Sequence, residues 1–535
     1  MMDLYANLAL GFGTVWKVVW LPWAAAGLSI PLPINLILCF FGCLVGTLIG
    51  VLPGIGPIAT IAMLLPMTYG LEPVGALIML AGIYYGAQYG GSTTAILVNI
   101  PGEATSVVTV LDGFQMAKQG RAGVALGIAA IGSFIAGTVA TIIIAALAVP
   151  LSRIALQFSP ADYFSLMILG LMFAVVLARG SLPKAIAMIF VGVLLSTVGT
   201  DQETGVSRLA FGLPELAEGF DFAVIAMGLF GFAEIIKNLE SPETREIVQN
   251  EIGRLLPNRT DLRQSAWPIV RGTFIGSLLG LLPGNGAVLG PFASYAVEKK
   301  LAADQSRFGR GAIEGVAGPE SANNAGAQTA FIPLLALGIP PNAVMALMIG
   351  AMTVHGITPG PEIMTKKPDL FWGMVASMWI GNLMLLVINL PLIGMWVRLL
   401  KVPYRLMFPA IVLFCCIGIY SVQNSAIDVL LVAAFGAFGY ALLKFGFEAA
   451  PLLLGFVLGR LMEEKFRLAL NMSRGDFWTF FDNWKSALCL MLTAVVIIVA
   501  ALPSVRRGRD HLFTDDIATP TPVAAQGATL SERCR

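Results

Sequence analysis

Long apolar segments recur along the whole chain, and glycine, proline or small groups of polar residues separate them. The segments are rich in Leu, Ala and Gly and do not alternate between apolar and polar positions, which argues against strands. Because a helix of about 20 apolar residues spans a bilayer, the pattern predicts an all-α polytopic membrane protein. The predicted elements are residues 8–27, 34–52, 55–66, 73–89, 93–100, 123–149, 162–178, 184–199, 221–236, 267–282, 286–297, 324–339, 343–354, 371–400, 406–421, 427–446, 450–461 and 484–503.

Four of these predicted elements are too short to cross a bilayer as helices. They are residues 55–66, 93–100, 286–297 and 450–461. Short apolar pieces interrupted by glycine and proline are typical of the discontinuous helices of secondary transporters. The pattern therefore predicts re-entrant hairpins or broken helices within the membrane.

Two stretches of the chain repeat each other at an offset of 230 residues. Gly46–Gly56 reads GTLIGVLPGIG and Gly276–Gly286 reads GSLLGLLPGNG, with seven of eleven positions identical. The tripeptide GAQ also occurs downstream of each stretch, at Gly86 and at Gly326, and an Ile-Pro pair follows each copy. These paired motifs predict two repeats that arose by duplication.

The loops that follow the two LPGxG motifs differ in charge. The first loop, PMTYGLEP, has no basic residue, whereas the second contains Lys299, Lys300, Arg307 and Arg310. Basic residues in short loops favour the cytoplasmic side. The difference favours repeats of opposite orientation, although the next pair of loops is basic in both halves and does not discriminate.

Each half carries a run of polar side chains inside otherwise apolar sequence. Proline and glycine in the LPGxG turns free backbone groups that a cation or an anionic substrate could satisfy, and buried amides and carboxylates favour a functional site. The alternative is structural, because single Ser or Thr side chains usually bond to their own helix and such turns can simply join packed helices. The polar side chains are Gln88, Ser92, Thr93, Thr94 and Asn99 in the first run, and Glu320, Ser321, Asn323, Asn324 and Gln328 in the second.

Composition and missing motifs narrow the functional classes. The chain is 57% hydrophobic and 12% charged, with a net charge of +1 that offers no general attraction to nucleic acid. The cysteines show no zinc or disulfide spacing. The sequence contains no phosphate-binding loop of the G-x-x-x-x-G-K-[ST] type and no H-E-x-x-H or G-x-S-x-G motif, which argues against ATP hydrolysis and against common hydrolase chemistry.

The motifs GTLIGVLPGIGP and GPESANNAGAQTAFIPLLALGIPPNA resemble those of the large membrane subunit (TctA type) of the tripartite tricarboxylate transporter family. The resemblance covers about residues 20–500. It implies a permease that imports carboxylates across the bacterial inner membrane, driven by a sodium or proton gradient and without a bound cofactor. It also implies a small TctB-type membrane subunit, a periplasmic TctC-type binding protein and an elevator-type architecture.

The resemblance implies that the LPGxG turns form two hairpin tips and that the polar runs face them. The expected substrate-binding residues are Gly54, Gly56, Ser92, Thr93, Thr94, Asn285, Gly286, Ser321, Asn323 and Asn324. The expected cation-coupling residues are Pro53, Gly54, Gln88, Asn99, Pro283, Gly284, Glu320 and Gln328. Pro57 corresponds to Ala287 in the second copy, so the two halves need not bind equivalent ions.

The chain divides into six predicted parts. Residues 1–33 form an N-terminal interfacial or scaffold segment, and it lacks the features of a cleaved signal peptide. The first repeat is 34–236, a charged cytoplasmic linker is 237–266, the second repeat is 267–480, the last membrane helix is 481–504, and a disordered tail is 505–535. The arginines directly after the last helix place the C-terminus in the cytoplasm.

Two other functional classes are considered for the polar residues. An intramembrane enzyme could use Glu320 or His355 as acid or base, but no nucleophile with a neighbouring base accompanies them. A membrane scaffold would not need paired polar runs in duplicated halves. A gradient-driven carboxylate permease accounts for more of the observations than either alternative.

Overall fold

A computed structural model describes residues 2–23, 28–52, 56–99, 101–103, 105–176, 181–201, 203–240, 253–283, 286–399, 404–423 and 425–501. These parts are mostly helical, with two small antiparallel hairpins, β1 (Val18–Trp23) with β2 (Leu28–Pro33) and β3 (Gly199–Thr200) with β4 (Ser207–Arg208). The helices are α1 (Met2–Val15), α2 (Ile34–Val51), α3 (Pro57–Leu64), α4 (Pro73–Val98), α5 (Val107–Lys118), α6 (Ala122–Ala155), α7 (Pro160–Val176), α8 (Leu182–Ser196), α9 (Phe222–Ala226), α10 (Ala233–Glu240), α11 (Arg259–Gly280), α12 (Gly286–Leu301), α13 (Glu314–Thr329), α14 (Phe331–Leu337), α15 (Ala343–Val354), α16 (Ile363–Lys366), α17 (Pro368–Asn389), α18 (Ile393–Leu399), α19 (Tyr404–Gln423), α20 (Ala426–Lys444), α21 (Ala449–Met472), α22 (Thr479–Asp482) and α23 (Trp484–Ala501).

By length and composition, five helices in the described residues could cross a membrane. They are α2, α6, α17, α20 and the continuous helix Phe222–Glu240, in which a π-helical turn at Met227–Phe232 joins α9 to α10. Short 3₁₀ turns lie at Leu65–Gly70, Pro214–Leu216 and Gln305–Arg307. The predicted helical membrane fold is confirmed at this level.

The predicted element 8–27 is only partly helical. Helix α1 ends at Val15, and the following residues form the β1–β2 hairpin, in which Val18 pairs with Pro33. Proline at positions 22, 31 and 33 opposes helix formation, and each strand of a two-stranded sheet is an edge where proline is tolerated. The expectation of a chain without strands was therefore wrong here.

Four other predicted elements have different ends in the structure. The segments 73–89 and 93–100 form one helix, α4, because Gly90 packs against the backbone of α2 and the helix continues through it. Helix α21 extends beyond residue 461 to Met472. The charged residues that follow Met462 end the apolar segment, but they do not end the helix. The segment 371–400 is divided into α17 and α18 on either side of Pro391.

The predicted linker 237–266 is shorter in the structure than in the sequence pattern. Helix α10 extends to Glu240, and α11 begins at Arg259, eight residues before the apolar window. Asn258 and Asp261 form a capping box, in which each side chain accepts a hydrogen bond from the other's backbone N–H. This cap explains how a charged segment can start the helix. Residues 241–252 and the predicted tail lie outside the described residues.

In each half of the chain, two helices pack closely against each other through glycine residues. Helix α2 lies so close to α4 that a Cβ atom on any of three glycines, spaced one turn apart, would come within 2.4 Å of a backbone carbonyl oxygen. The contacts join Gly42 to Met79, Gly46 to Ile83 and Gly50 to Ala87. Small residues at every fourth position allow such close approach inside a membrane.

Helix α11 packs on α13 in the same manner. A Cβ atom on each of its three glycines would come within 2.4 Å of a carbonyl oxygen of α13. The contacts join Gly272 to Gly318, Gly276 to Ala322 and Gly280 to Gly326. These three glycines lie 230 residues after the three glycines of α2, which is the offset of the sequence repeat.

Replacing Gly276 with alanine is expected to destabilise the protein. A Cβ atom there would lie 2.1 Å from the Ala322 carbonyl oxygen, so the two helices would have to separate. Overpacking of this kind costs about 1–3 kcal/mol. Thermal unfolding in lipid nanodiscs measures the effect, with Gly13→Ala in α1 as control because its Cβ would meet nothing within 4 Å. Equal melting temperatures for the two variants would contradict the close contact.

Helix α5 holds the start of α13 through one buried carboxylate. Asp112 is fully buried, and its Oδ1 accepts hydrogen bonds from the backbone N–H groups of Gly309, Gly311 and Ala312 at 2.8–2.9 Å. Its Oδ2 accepts the Tyr295 hydroxyl at 3.0 Å. A helix of the first half of the chain therefore fixes the loop that leads into the polar helix of the second half.

Candidate functional site

The second polar run of the sequence forms part of a helix that is buried along its whole length. Within α13, every residue from Gly315 to Thr329 is buried. Glu320, Asn324 and Gln328 are spaced four residues apart and therefore share one face of the helix. This face packs against α6 and is approached by α4 and α5, so both halves of the chain contribute to the site.

Glu320 lies where three helices meet. Its carboxylate is fully buried and accepts hydrogen bonds from the hydroxyls of Ser92 on α4 and Thr109 on α5. Two neutral donors orient both oxygens of the carboxylate, but they supply no positive charge. The predicted residues Ser92 and Glu320, which are 228 positions apart, are thus brought into direct contact.

A second carboxylate, Glu103, lies in the segment between α4 and α5. It is partly buried and accepts hydrogen bonds from the Thr105 hydroxyl at 2.7 Å and from the Asn323 amide at 3.4 Å. The amide of Gln88 also donates to this carboxylate in the orientation that satisfies both groups. We call Glu103, Glu320 and these donors the acidic cluster.

Some buried acids elsewhere in the described residues have basic partners, whereas Asp112 and Asp162 are held by neutral hydrogen-bond donors. Glu298 is 2% exposed and forms a two-point ion pair with Arg271, with an Nη2–Oε2 distance of 2.6 Å. Outside the membrane-spanning helices, hydrogen bonds from Thr204 and Arg467 lower the pKa of Asp201 to about 2. Arg271 and Arg467 therefore supply a counter-charge to Glu298 and Asp201.

The acidic cluster differs from these ion pairs. Within the described part of the chain, neither Glu103 nor Glu320 forms a salt bridge with lysine, arginine or histidine. A buried carboxylate without a counter-charge is costly, and a bound cation or a proton relieves that cost. The chemistry of the cluster therefore suits cation binding.

The rest of the polar face of α13 contacts a matching face of α6. Asn324 donates to Ser133 Oγ at 2.6 Å, and Gln328 accepts a hydrogen bond from the Thr141 hydroxyl. Ser133 and Thr141 lie on the same side of α6, with Gly137 between them. The predicted residues Asn324 and Gln328 are therefore buried along the contact between α13 and α6, and their roles in binding stay predictions.

Three other predicted site residues donate hydrogen bonds to backbone carbonyl groups and not to the acidic cluster. Thr93 donates to the Tyr89 carbonyl and Ser321 donates to the Ala317 carbonyl, each four residues earlier in its own helix. Thr94 donates to the Val51 carbonyl at 2.8 Å, which joins α4 to the end of α2. Their roles in binding stay predictions.

Asn99 is separate from the acidic cluster. It is exposed and ends α4 with a left-handed backbone conformation (φ 61°), which asparagine tolerates better than most residues. A structural role as helix cap accounts for this asparagine. Its predicted role in cation coupling stays a prediction.

The hairpin tips are only partly covered by the described residues. Pro53, Gly54, Gly284 and Asn285 lie outside them. Gly56 precedes the first residue of α3, Pro283 precedes the second tip, and Gly286 is the first residue of α12. Each LPGxG motif therefore stands between two helices, as the sequence predicts for a turn.

Several residues of the site were not predicted from the sequence. Glu103, Thr105 and Thr109 follow the first polar run, and an acidic residue directly after an apolar helix was the available signal. Ser133 and Thr141 sit in an apolar helix, and their only signal was a spacing that places them on one face with Gly137. Single hydroxyl residues of this kind are too common in membrane helices to be chosen from sequence.

The chain is similar to a known family of membrane proteins. The model of the tripartite tricarboxylate transporter TctA family matches residues 36–454 of the chain. The chain belongs to this family. Because it is a family of transporters, this member is a multi-pass membrane protein and not an enzyme.

Two relatives of this TctA-family chain come from Agrobacterium vitis. One, described as "Uncharacterized 52.8 kDa protein in TAR-I ttuC' 3'region", is 54% identical over 516 residues, which are 96% of this chain and 100% of the relative. The other, described as "Uncharacterized protein in TAR-II ttuC' 3'region", is 58% identical over 241 residues, which are 45% of this chain and 100% of the relative. No solved structure matches the chain.

The enzyme alternative fails on the geometry as well as on the family. His355 is partly buried at the end of α15, and its Nε2 atom has no hydrogen-bond partner. No hydrogen bond or ion pair among the described residues joins it to Glu320. The two residues therefore do not form an acid–base pair.

Proposed function

We propose that this TctA-family protein is the large permease subunit of a secondary transporter that imports carboxylates, including tricarboxylates, across the bacterial inner membrane. A sodium or proton gradient drives the uptake, and a periplasmic TctC-type protein delivers the substrate. A small TctB-type membrane subunit completes the transporter. The binding protein largely selects which carboxylate is carried. The family match and the acidic cluster support this proposal.

The observation that carries the proposal is the buried Glu320 carboxylate with two hydroxyl donors and no basic partner. A carboxylate substrate that approaches Glu103 and Glu320 is repelled, and each pair of like charges at about 6 Å costs roughly 3 kcal/mol at an effective dielectric constant near 20. A cation bound first at the cluster removes this repulsion. Substrate binding then requires the cation, and that requirement couples uptake to the ion gradient.

The two halves of the protein support a transporter built from repeats. The glycine contacts of α2 with α4 and of α11 with α13 occur at equivalent positions of the duplicated sequence. We assign the first repeat to residues 34–236 and the second to 267–480, in opposite orientations, with the substrate between their LPGxG turns. An elevator-type movement of the domain that carries these turns would expose the site to each side in turn.

Uptake in proteoliposomes tests the proposed function. The permease, its small membrane subunit and its binding protein are reconstituted, and uptake of ¹⁴C-labelled citrate, succinate and malate is followed under an imposed sodium or proton gradient. At least one carboxylate is expected to accumulate only with the gradient present. ATP inside or outside the vesicles should make no difference, because the sequence has no nucleotide-binding motif.

The matched control for this assay is the same vesicle preparation without a gradient, or with an ionophore that abolishes it. Facilitated entry that only equalises the concentrations would show an uncoupled pathway, either a channel or a uniporter, and not a coupled carrier. Accumulation that needs ATP and no gradient would contradict secondary transport.

A further inference from the structure

A small cavity of about 10 Å³ lies beside the acidic cluster, between α4, α6 and the α17–α18 turn. Its polar lining is Tyr89, Ser92 and Thr93 from α4, Ser133 from α6 and Asn389 from α17. Ser92 is shared with the acidic cluster, because its hydroxyl donates to Glu320. A cavity of this volume holds one species of the size of a water molecule or a small cation.

The amide of Asn389 is oriented with its oxygen left free. Its nitrogen donates to the Leu385 carbonyl at 2.9 Å and approaches the Thr47 hydroxyl at 3.5 Å. The residue is only 5% exposed, and its oxygen Oδ1 is buried without a hydrogen-bond partner. Because the nitrogen is already engaged, the remaining capacity of this side chain is that of an oxygen ligand.

Tyr89 supplies a second buried oxygen without a partner. The residue is 4% exposed, and no atom of the described protein bonds its hydroxyl. Buried polar atoms in folded proteins nearly always have a partner, so two such atoms on one small cavity indicate a bound species. Ser133, whose hydroxyl accepts from Asn324, adds a hydroxyl oxygen that is already held in position.

We infer that this cavity, which we call the Asn389 cavity, binds the monovalent cation that neutralises Glu320. Its polar lining is a set of oxygens, which suits a hard cation such as sodium. The described residues contain no group of three or more His, Cys, Asp and Glu side chains that could hold a metal ion, and a divalent cation would need more negative charge than one neighbouring carboxylate provides. The inference rests on the proposed function and names the place and ligands of the coupling ion.

Binding of ²²Na⁺ to the purified full-length protein in lipid nanodiscs tests the inference without any substrate. The wild-type protein is expected to bind ²²Na⁺ saturably, with unlabelled lithium competing better than potassium because the cavity is small. Asn389→Leu keeps the branched shape of the side chain but removes the free oxygen, and it should weaken sodium binding at least tenfold. Tyr89→Phe removes only the hydroxyl and should weaken it severalfold.

Ser377→Ala is the control on the same helix, because Ser377 is buried, its hydroxyl donates to the Met374 carbonyl and it does not line the cavity. It should leave sodium affinity unchanged, and melting temperatures identify any variant that fails to fold. Unchanged sodium binding in both Asn389→Leu and Tyr89→Phe, or no saturable binding in the wild type, overturns the cavity assignment. Gradient-driven uptake would then still support the proposed function, whereas uptake that ignores every cation gradient would refute that function instead.

Discussion

Replacing Glu320 with glutamine is expected to reduce gradient-driven uptake at least about 100-fold, which corresponds to roughly 2.7 kcal/mol of lost cation stabilisation. Glutamine keeps the size of the side chain and can still accept a hydrogen bond from Ser92 or Thr109, but it carries no charge for the coupling ion. Initial rates of carboxylate uptake in proteoliposomes, measured against the concentration of the driving ion, give the effect.

Glu314→Gln is the control for this experiment, because Glu314 begins the same helix. Its partner Arg307, at 2.7 Å, is 44% exposed, so the ion pair contributes little to stability. We expect Glu314→Gln to transport at close to the wild-type rate. If Glu320→Gln folds, inserts and retains both the rate and the ion dependence of the wild type, the coupling ion does not use this carboxylate.

Replacing Asp112 with alanine is expected to cause a large loss of stability. Three backbone N–H groups, those of Gly309, Gly311 and Ala312, would lose their common acceptor. Each buried donor without a partner costs about 1–3 kcal/mol, so the loop before α13 should detach or the protein should unfold. Thermal unfolding and limited proteolysis of the loop in nanodiscs measure the change.

Asp112→Asn distinguishes the hydrogen bonds from the charge. Asparagine retains an oxygen that can accept all three backbone donors, so most of the stability should remain, although its nitrogen cannot accept the Tyr295 hydroxyl. An Asn variant as unstable as the Ala variant would show that charge, and not hydrogen bonding, holds the loop.

The apolar segments alone predicted most helices, because every segment that spans a bilayer needs about 20 apolar residues in a helix. The predicted element 343–354 coincides with α15, and 427–446 is close to α20. The predicted helix ends were wrong where a helix is covered by polar contacts inside the protein and not by lipid. Helix α13 begins at Glu314, ten residues before its predicted apolar window, since its polar face is covered by α4, α5 and α6.

The sequence predicted many of the polar residues of the candidate site, but it did not predict which residues they contact. The polar run from Glu320 to Gln328 stood out because such side chains are costly in a membrane. Its partners could not be chosen in the same way. Thr109 on α5 and Ser133 on α6 are isolated hydroxyl residues, and only the packing of α5 and α6 on α13 brings them to Glu320 and Asn324.

The hydrogen bonds of Asp112 also constrain the order in which the protein can be made. Ala312, one of its donors, is 200 residues further along the chain and leaves the ribosome much later. Until then, the Asp112 carboxylate lacks its backbone donors, and a buried charge without them is unstable. We therefore expect helix α5 to reach its final contacts only after the second half has been made. A nascent chain stalled before residue 309 should then be a substrate for membrane quality control.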